Sequence, residues 1–163
     1  MISLIAALSE NRVIGKDNRV PWRIPADLQR LKSLTLGKTV ILGRKSYDSM
    51  VSYYSKSGRE MPGKTYIVIT RDSAYNPIRS QDIVVHSVEE AIEKANGEEV
   101  FVIGGSQIFE QVLPSADRLY LTVVHTKLEG DAYFPDYSAF SKVISQEDRE
   151  SDGYKYTFYI LEK

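Results

Sequence analysis

Apolar and polar positions along the chain fall into two kinds of short run, and the two alternate. Ile2–Leu8, Thr39–Leu42, Thr65–Thr70, Ile83–Val85, Val100–Ile103 and Arg118–Val124 are compact, rich in Val, Ile and Leu, and read as buried strands. Tyr154–Leu161 alternates bulky and polar side chains, and a short partner strand is expected near Val143–Ser145. Apolar residues at helical spacing predict helices over Ala26–Thr35, Ser46–Met50, Val88–Ala95 and Ser106–Leu113. The second is expected to end before the polar stretch Ser52–Glu60. The third opens with a capping box, Ser87-x-x-Glu90, and the fourth stops at Pro114, which cannot continue a helix. Strands alternating with helices imply a mostly parallel sheet covered on both faces, and the strand-rich end of the chain implies an antiparallel far edge.

The 163 residues suit a single domain, 1–163, without repeats or a low-complexity linker. A chain of this size buries roughly 70% of its unfolded surface and needs no staple. The hydrophobic fraction of 42% and the charged fraction of 26% are those of a globular domain rather than a disordered one. Lys plus Arg is 21 and Asp plus Glu is 22, a balance that argues against nucleic acid as a partner. Cysteine is absent, which removes disulfides, thiolate catalysis and Cys-ligated metals; with only His86 and His125 present, no metal site is expected. Both histidines read as surface or strand residues. The apolar start is short, lacks a charged leader and meets Glu10 at once, so it reads as a strand and not a signal peptide. No run reaches the ~20 apolar residues of a membrane helix, and a cytoplasmic location is the expectation.

In an open α/β sheet, ligands bind beyond the carboxyl ends of the strands, so the residues after each strand carry the functional reading. Gly104-Gly105 stands between a buried strand and a helix, where backbone can approach a ligand and free helix N–H groups face it. The pair is not a G-x-G-x-x-G fingerprint, and the dipeptide alone favours a plain tight turn. Gly43-Arg44-Lys45-Ser46 and Thr70-Arg71 follow two other strands. If those strands are neighbours, Arg44, Lys45 and Arg71, with the Ser46 and Thr70 hydroxyls, suit a phosphomonoester such as the 2′-phosphate of NADP. A solvated loop is the bland alternative. In Pro21-Trp22-Arg23-Ile24-Pro25-Ala26-Asp27-Leu28, Pro25 starts a helix whose Leu28, Leu31 and Leu34 form a stripe. Asp27 shares that core-facing stripe beside Trp22. Desolvation there would raise its pKa above the ~3.9 of a free aspartate, as suits an acid, base or ligand anchor. An acidic residue in the first helical turn is also common at surfaces, where the helix dipole favours it.

Together, Val13-Ile-Gly15, Pro21-Trp22-x-x-Pro25-x-Asp27-Leu28, Gly43-Arg44, Pro62-Gly63, Thr70-Arg71, Gly104-Gly105, Glu129-Gly130-Asp131 and Tyr133-Phe134-Pro135 occur in an order that resembles bacterial dihydrofolate reductase over essentially the whole chain. The resemblance implies a three-layer α/β sandwich: an eight-stranded, mainly parallel sheet with its last strand antiparallel, flanked by about four helices. It implies reduction of 7,8-dihydrofolate to tetrahydrofolate by NADPH in support of one-carbon metabolism, by an enzyme that antifolates would target; a monomer is the default expectation.

Carried over residue by residue, the resemblance makes Asp27 the anchor of the pterin N3 and 2-amino group. Trp22 would hold a water at the pterin end, and the Thr122 hydroxyl would join the Asp27 network. Ile5, Ala6, Leu28, Leu31, Met50 and Ile103 would line the substrate cleft. Ala7, Ile14, Gly43, Arg44, Lys45, Ser46, Thr70, Arg71, Gly104, Gly105, Ser106, Gln107, Ile108 and Phe109 would hold the cofactor. Of these, the Gly104–Gly105 bond would be cis, and Phe109 would lie beside the nicotinamide. Ser9–Ile24 would be a lid braced by Glu129–Asp131.

Several positions depart from the family's habit. Lys64 stands where an arginine commonly clamps the substrate's glutamate, with Arg59 and Lys32 as other candidate cations. Leu31 replaces an aromatic residue, Val20 a larger lid residue, and Val51–Ser57 is an insertion at the cleft rim. Two other readings stay open at this point: a riboflavin-pathway type of reductase on a similar fold, and a catalytically silent nucleotide-binding module.

Overall fold

The computed structural model describes residues 1–17, 20–95 and 99–163. Its main sheet is built from β1 (Ile2–Ser9), β3 (Thr39–Gly43), β4 (Thr65–Ile69), β5 (Ile83–Val85), β6 (Val100–Val102), β7 (Arg118–Val124), β9 (Lys142–Ser151) and β10 (Tyr154–Glu162). The spatial order is β5-β4-β3-β6-β1-β7-β10-β9. Neighbours from β5 through β7 pair in parallel, whereas β10 runs antiparallel to both β7 and β9. The sheet is thus mainly parallel with one reversed strand, the last in the chain. A second sheet of two short strands, β2 (Val13–Gly15) and β8 (Ala132–Tyr133), lies outside the expected elements. Strands of three and two residues carry too little periodicity to be read from sequence.

Alternation along the central strands divides the core between two faces. Ile41 and Ile67 point into one apolar cluster with α3 (Val88–Ala95) and α4 (Ser106–Val112). Their neighbours Val40, Leu42, Tyr66 and Val68 point into another, where Tyr47, Met50 and Val51 of α2 (Arg44–Ser57) pack. Trp22, Ile24 and Ala26, leading into α1 (Pro25–Thr35), cover Val124, Tyr156 and Phe158 in a third cluster. Helices on both faces of a sheet make the three layers that the alternating pattern implies.

The helix boundaries correct the sequence reading in two places. α2 runs on to Ser57, through the stretch expected to end it, because Tyr47, Val51 and Tyr54 continue one face at helical spacing. Gly58 then closes it in the left-handed region (φ 67°), with the N–H groups of Gly58 and Arg59 on the carbonyls of Ser55 and Tyr54. The Val51–Ser57 segment is therefore two further turns of helix and not a loop. α4 ends at Val112, and Pro114 sits in a 3-10 turn, Leu113–Ser115. The expected short strand near Val143–Ser145 is a ten-residue edge strand, β9. Its face is exposed, so no hydrophobic alternation announces its length. At α3 the capping box forms with one change: the Ser87 hydroxyl accepts the Glu90 N–H at 3.1 Å, while the Glu90 carboxylate accepts from His86 N at 3.1 Å.

Candidate active site

Every junction singled out above lies at the carboxyl end of a parallel strand. β3 and β4 are neighbours, with Gly43 paired to Ile69, so the condition set for the basic cluster is met. Arg44, Lys45 and Ser46 open α2 directly after β3, and Thr70 and Arg71 follow β4. Lys45 and Arg71 are exposed, and Arg44 stacks over Tyr75 with its guanidinium carbon 5.9 Å from the ring centroid. Thr70 is used locally: its hydroxyl accepts the Asp72 N–H at 3.1 Å, and its carbonyl meets His86 Nδ1 at 2.8 Å.

β6 runs through Ile103 to Gly104-Gly105, whose peptide bond is cis, and then into α4 at Ser106 and Gln107. The Gly43 N–H donates to the Gly104 carbonyl at 2.8 Å, which ties the starts of α2 and α4 together. Gly104 has φ +124°, and a side chain there would press on the Phe109 ring, which is itself buried beside Phe134. At Gly105 a Cβ would meet nothing within 4 Å, so the backbone faces open space. Neither helix start uses a side chain as its cap, which leaves N–H groups available there. An uncapped helix start, open glycine backbone and three cations at adjoining strand ends fit a dinucleotide phosphate well.

Along β1, Ala7 lies opposite Thr122 of β7. Thr122 is buried, and its hydroxyl donates to Asp27 Oδ1 at 2.6 Å, joining positions 95 apart in sequence. The Asp27 carboxyl is pushed above the ordinary aspartate range. Burial is the main cause; the Thr122 hydrogen bond and the nearby Arg30 guanidinium pull partly the other way. The Asp27 residue as a whole is only half-buried.

The stripe on which Asp27 sits departs from expectation. Among the α1 residues only Thr35 is fully buried, while Leu31 and Leu34 are partly exposed and Leu28 is 45% exposed. The stripe is thus left largely uncovered by the protein's own core. Ile5 and Trp22 are buried, whereas Ala6, Ala7, Ile14, Met50 and Ile103 keep partial exposure. Met50 and Ile103 pack against the α2 side of the core, and Ile108 against the α4 side.

Lys64 is exposed in a turn that the sequence reading could not brace. Its N–H donates to the Lys38 carbonyl and Gly37 N–H to the Pro62 carbonyl, both at 2.9 Å, holding the turn against the end of α1. Arg79 Nη2 donates to the carbonyls of Gly63 (3.1 Å) and Lys64 (3.3 Å), and also to Asp82 at 2.8 Å. Asp82 is buried and takes further bonds from Tyr47 (2.7 Å) and Tyr66 N (2.9 Å). Tyr66, pushed up to about 12 by burial above all, keeps its hydroxyl neutral and accepts the Gly63 N–H at 2.9 Å. Sequence reading missed this network and Arg30. Arg30 had a signal, a cation three residues after Asp27; the network had none.

The Glu129–Asp131 loop contacts the described part of the Ser9–Ile24 segment. Asp131 N donates to the Gly15 carbonyl (3.1 Å), Asp17 N to Asp131 Oδ2 (3.0 Å), and Lys16 pairs with Glu129 at 3.3 Å. A Cβ at Gly130 would lie 2.7 Å from the Gly15 carbonyl, so glycine allows this approach. Among the described residues no cluster of acidic and histidine side chains could hold a metal, and no helix is long and apolar enough to cross a membrane. His86 and His125 are exposed, each with one ring nitrogen engaged: His125 Nε2 lies 2.7 Å from Thr157 Oγ1.

A parallel sheet with its polar chemistry gathered at the strands' carboxyl ends puts the chain in the class of α/β enzymes whose ligands lie across those ends. The family described as dihydrofolate reductase matches residues 1–163. A dihydrofolate reductase of Bacillus subtilis is 40% identical over 168 aligned positions, covering 100% of this chain and 95% of that protein. A type 3 dihydrofolate reductase of Salmonella typhimurium is 43% identical over 84% of this chain and 80% of its own length. A solved dihydrofolate reductase of Enterococcus faecalis, complexed with NADP(H) and a compound titled RAB-propyl, superposes with a TM-score of 0.82. It is 33% identical and covers 99% of this chain and 95% of that one. The chain belongs to the dihydrofolate reductase family and is an oxidoreductase of that kind. The riboflavin-pathway reading is thereby set aside.

Proposed function

We propose that this chain, as one domain, reduces 7,8-dihydrofolate to tetrahydrofolate with NADPH, and that Asp27 is the group on which substrate recognition turns. The observation that carries the assignment is the Asp27–Thr122 pair: a carboxyl raised by burial and steadied by one hydroxyl, on a helix whose Leu28 and Leu31 stay partly exposed. A flat heterocycle carrying a ring N–H beside an amino group presents two donors to such a carboxylate, as pterin N3 and its 2-amino group do. Leu28, Leu31, Ile5, Ala6, Met50 and Ile103 supply apolar walls. Trp22, packed beneath the head of α1, would hold a water at the pterin end.

NADPH supplies the hydride that pterin C6 accepts, N5 taking a proton. Gly43, Gly104, Gly105, Ser106 and Gln107 would hold its diphosphate, Arg44, Lys45, Ser46, Thr70 and Arg71 its adenosine end, and Ala7, Ile14, Ile108 and Phe109 the nicotinamide side. The chain's own work is to hold both ligands in one orientation and to keep bulk water out. Because Asp27 engages the ring edge remote from N5, the proton reaches N5 through water, and Asp27 tunes how readily the ring accepts it. Lys64, held by Arg79, would meet the substrate's glutamate carboxylate. A cytoplasmic monomer completes the reading, and the cysteine-free composition fits a reducing compartment.

The test is the loss of NADPH absorbance on adding dihydrofolate, repeated with Asp27→Asn. The wild-type chain should oxidise NADPH. The variant should bind NADPH normally and lose at least about 10²-fold in turnover at neutral pH. Wild-type turnover in the variant would remove Asp27 from the mechanism, and an inert wild-type chain would leave the silent-module reading.

A further inference from the structure

Arg30 lies one turn after Asp27 on α1, and its guanidinium is laid on the sheet rather than in solvent. Nη1 donates to the Leu121 carbonyl at 3.2 Å and Nη2 to the Tyr159 carbonyl at 3.4 Å. The guanidinium carbon stands 4.5 Å from the Phe158 ring centroid and 5.8 Å from that of Tyr120. Leu121 immediately precedes Thr122, whose hydroxyl holds Asp27. Two successive residues of β7 therefore fix the cation by main chain and the carboxyl by side chain. The cation donates to carbonyl groups, and its charge reaches Asp27 through space in a place where water screens poorly.

The other charged or titratable groups facing Arg30 are Tyr120 on β7 and Glu147 and Arg149 on β9. Glu147 and Arg149 are paired with each other at 2.8 Å, so their fields on α1 largely cancel. Among the described residues, Arg30 is the one charged group whose field bears noticeably on the Asp27 carboxyl.

We propose that Arg30 is a positioning residue that sets the pH range over which Asp27 keeps its proton, acting as a fixed charge pinned to the sheet and not as an ion-pair partner. The inference rests on the reading of Asp27 as the pterin anchor. Burial raises the Asp27 pKa, and Arg30 opposes that rise. Burial in the same place pulls Arg30 down, which Asp27 offsets.

The experiment compares Arg30→Met, Arg30→Gln and Arg30→Lys. Two readouts are taken: the Asp27 titration by carbon NMR of aspartate-labelled protein, its resonance assigned with Asp27→Asn, and the pH dependence of single-turnover NADPH oxidation by dihydrofolate. Arg30→Met should raise the Asp27 midpoint by about one pH unit, the low end of what a neighbouring guanidinium does to a carboxyl. The midpoint of the pH dependence of the single-turnover rate should move the same way. Arg30→Gln keeps two donors without charge and should behave like Arg30→Met. Arg30→Lys should restore most of the wild-type midpoint even if it loses stability with the carbonyl fork. An unmoved midpoint in Arg30→Met, or a wild-type midpoint in Arg30→Gln, overturns the proposal. A midpoint that moves while the rate profile stays put upholds Arg30's hold on Asp27 and overturns instead the reading of Asp27 as the anchor.

Discussion

A carboxyl kept half out of water costs the fold something, and at Asp27 the sign of that cost can be worked out. Its folded pKa is raised, so the native state holds the proton more tightly than the unfolded chain does. The penalty is absent below the unfolded value near ~4, grows as pH rises toward the folded value, and is complete above it. Asp27→Asn removes it. At pH 7 the variant should be as stable as the wild type or more so by thermal or urea denaturation, and the difference should vanish by about pH 4. A variant clearly less stable at pH 7 would show Asp27 to be a structural partner of Thr122 and nothing more. Asp27 itself was legible in the sequence, because Pro25 and the leucine spacing put it on a stripe. That the stripe stays largely uncovered was not legible, since a leucine packed in the core and a leucine left at the surface read alike.

Among the elements, α2 shows what local signals can and cannot carry. Its extension past Met50 had two of them, the apolar spacing through Tyr54 and the glycine at 58, but the polar composition of Ser52–Glu60 outweighed both. The role of its Tyr47 had none. The Tyr47 hydroxyl donates to Asp82 at 2.7 Å and accepts the N–H groups of Ile78 and Arg79 at 3.1 and 3.4 Å. With Arg79 bidentate on Asp82, this knot closes the 70–82 loop over the sheet and reaches the Gly63 and Lys64 carbonyls. Asp82→Asn keeps the shape but leaves the largely buried Arg79 without its counter-charge. The expected loss is about 2–4 kcal/mol in urea unfolding. The KM for dihydrofolate should rise as the Lys64 turn loosens, with NADPH affinity little changed, because Arg44 and Arg71 lie at the other end of β3 and β4. Equal loss of both affinities would mean that the knot supports the whole sheet edge and not the turn in particular.

For the molecule as a whole, the parallel sheet and its reversed last strand followed from the alternation of short strands with helices and from the strand-rich end. The strand order did not. β1 lies between β6 and β7, and β3 between β4 and β6, pairings made over separations of up to about a hundred residues that no local pattern encodes. One such pairing carries a functional consequence. Because Gly43 pairs with Ile69, the cations after β3 and β4 share one sheet end, and two segments that looked unrelated in sequence become one basic edge. Lys45 and Arg71 are solvated, so their field is salt-sensitive. Replacing Arg44 and Arg71 together by glutamine should weaken NADPH binding roughly 10–100-fold, the size expected from losing one or two charge-assisted contacts to a phosphate. NADH, which lacks the 2′-phosphate, should change by less than about threefold if the edge serves that group alone. Raising ionic strength should erode the wild-type preference for NADPH and leave the double variant nearly unaffected. Fluorescence titration of both nucleotides at two salt concentrations reads all of this; parallel losses for NADPH and NADH would move these arginines from the 2′-phosphate to the shared part of the nucleotide.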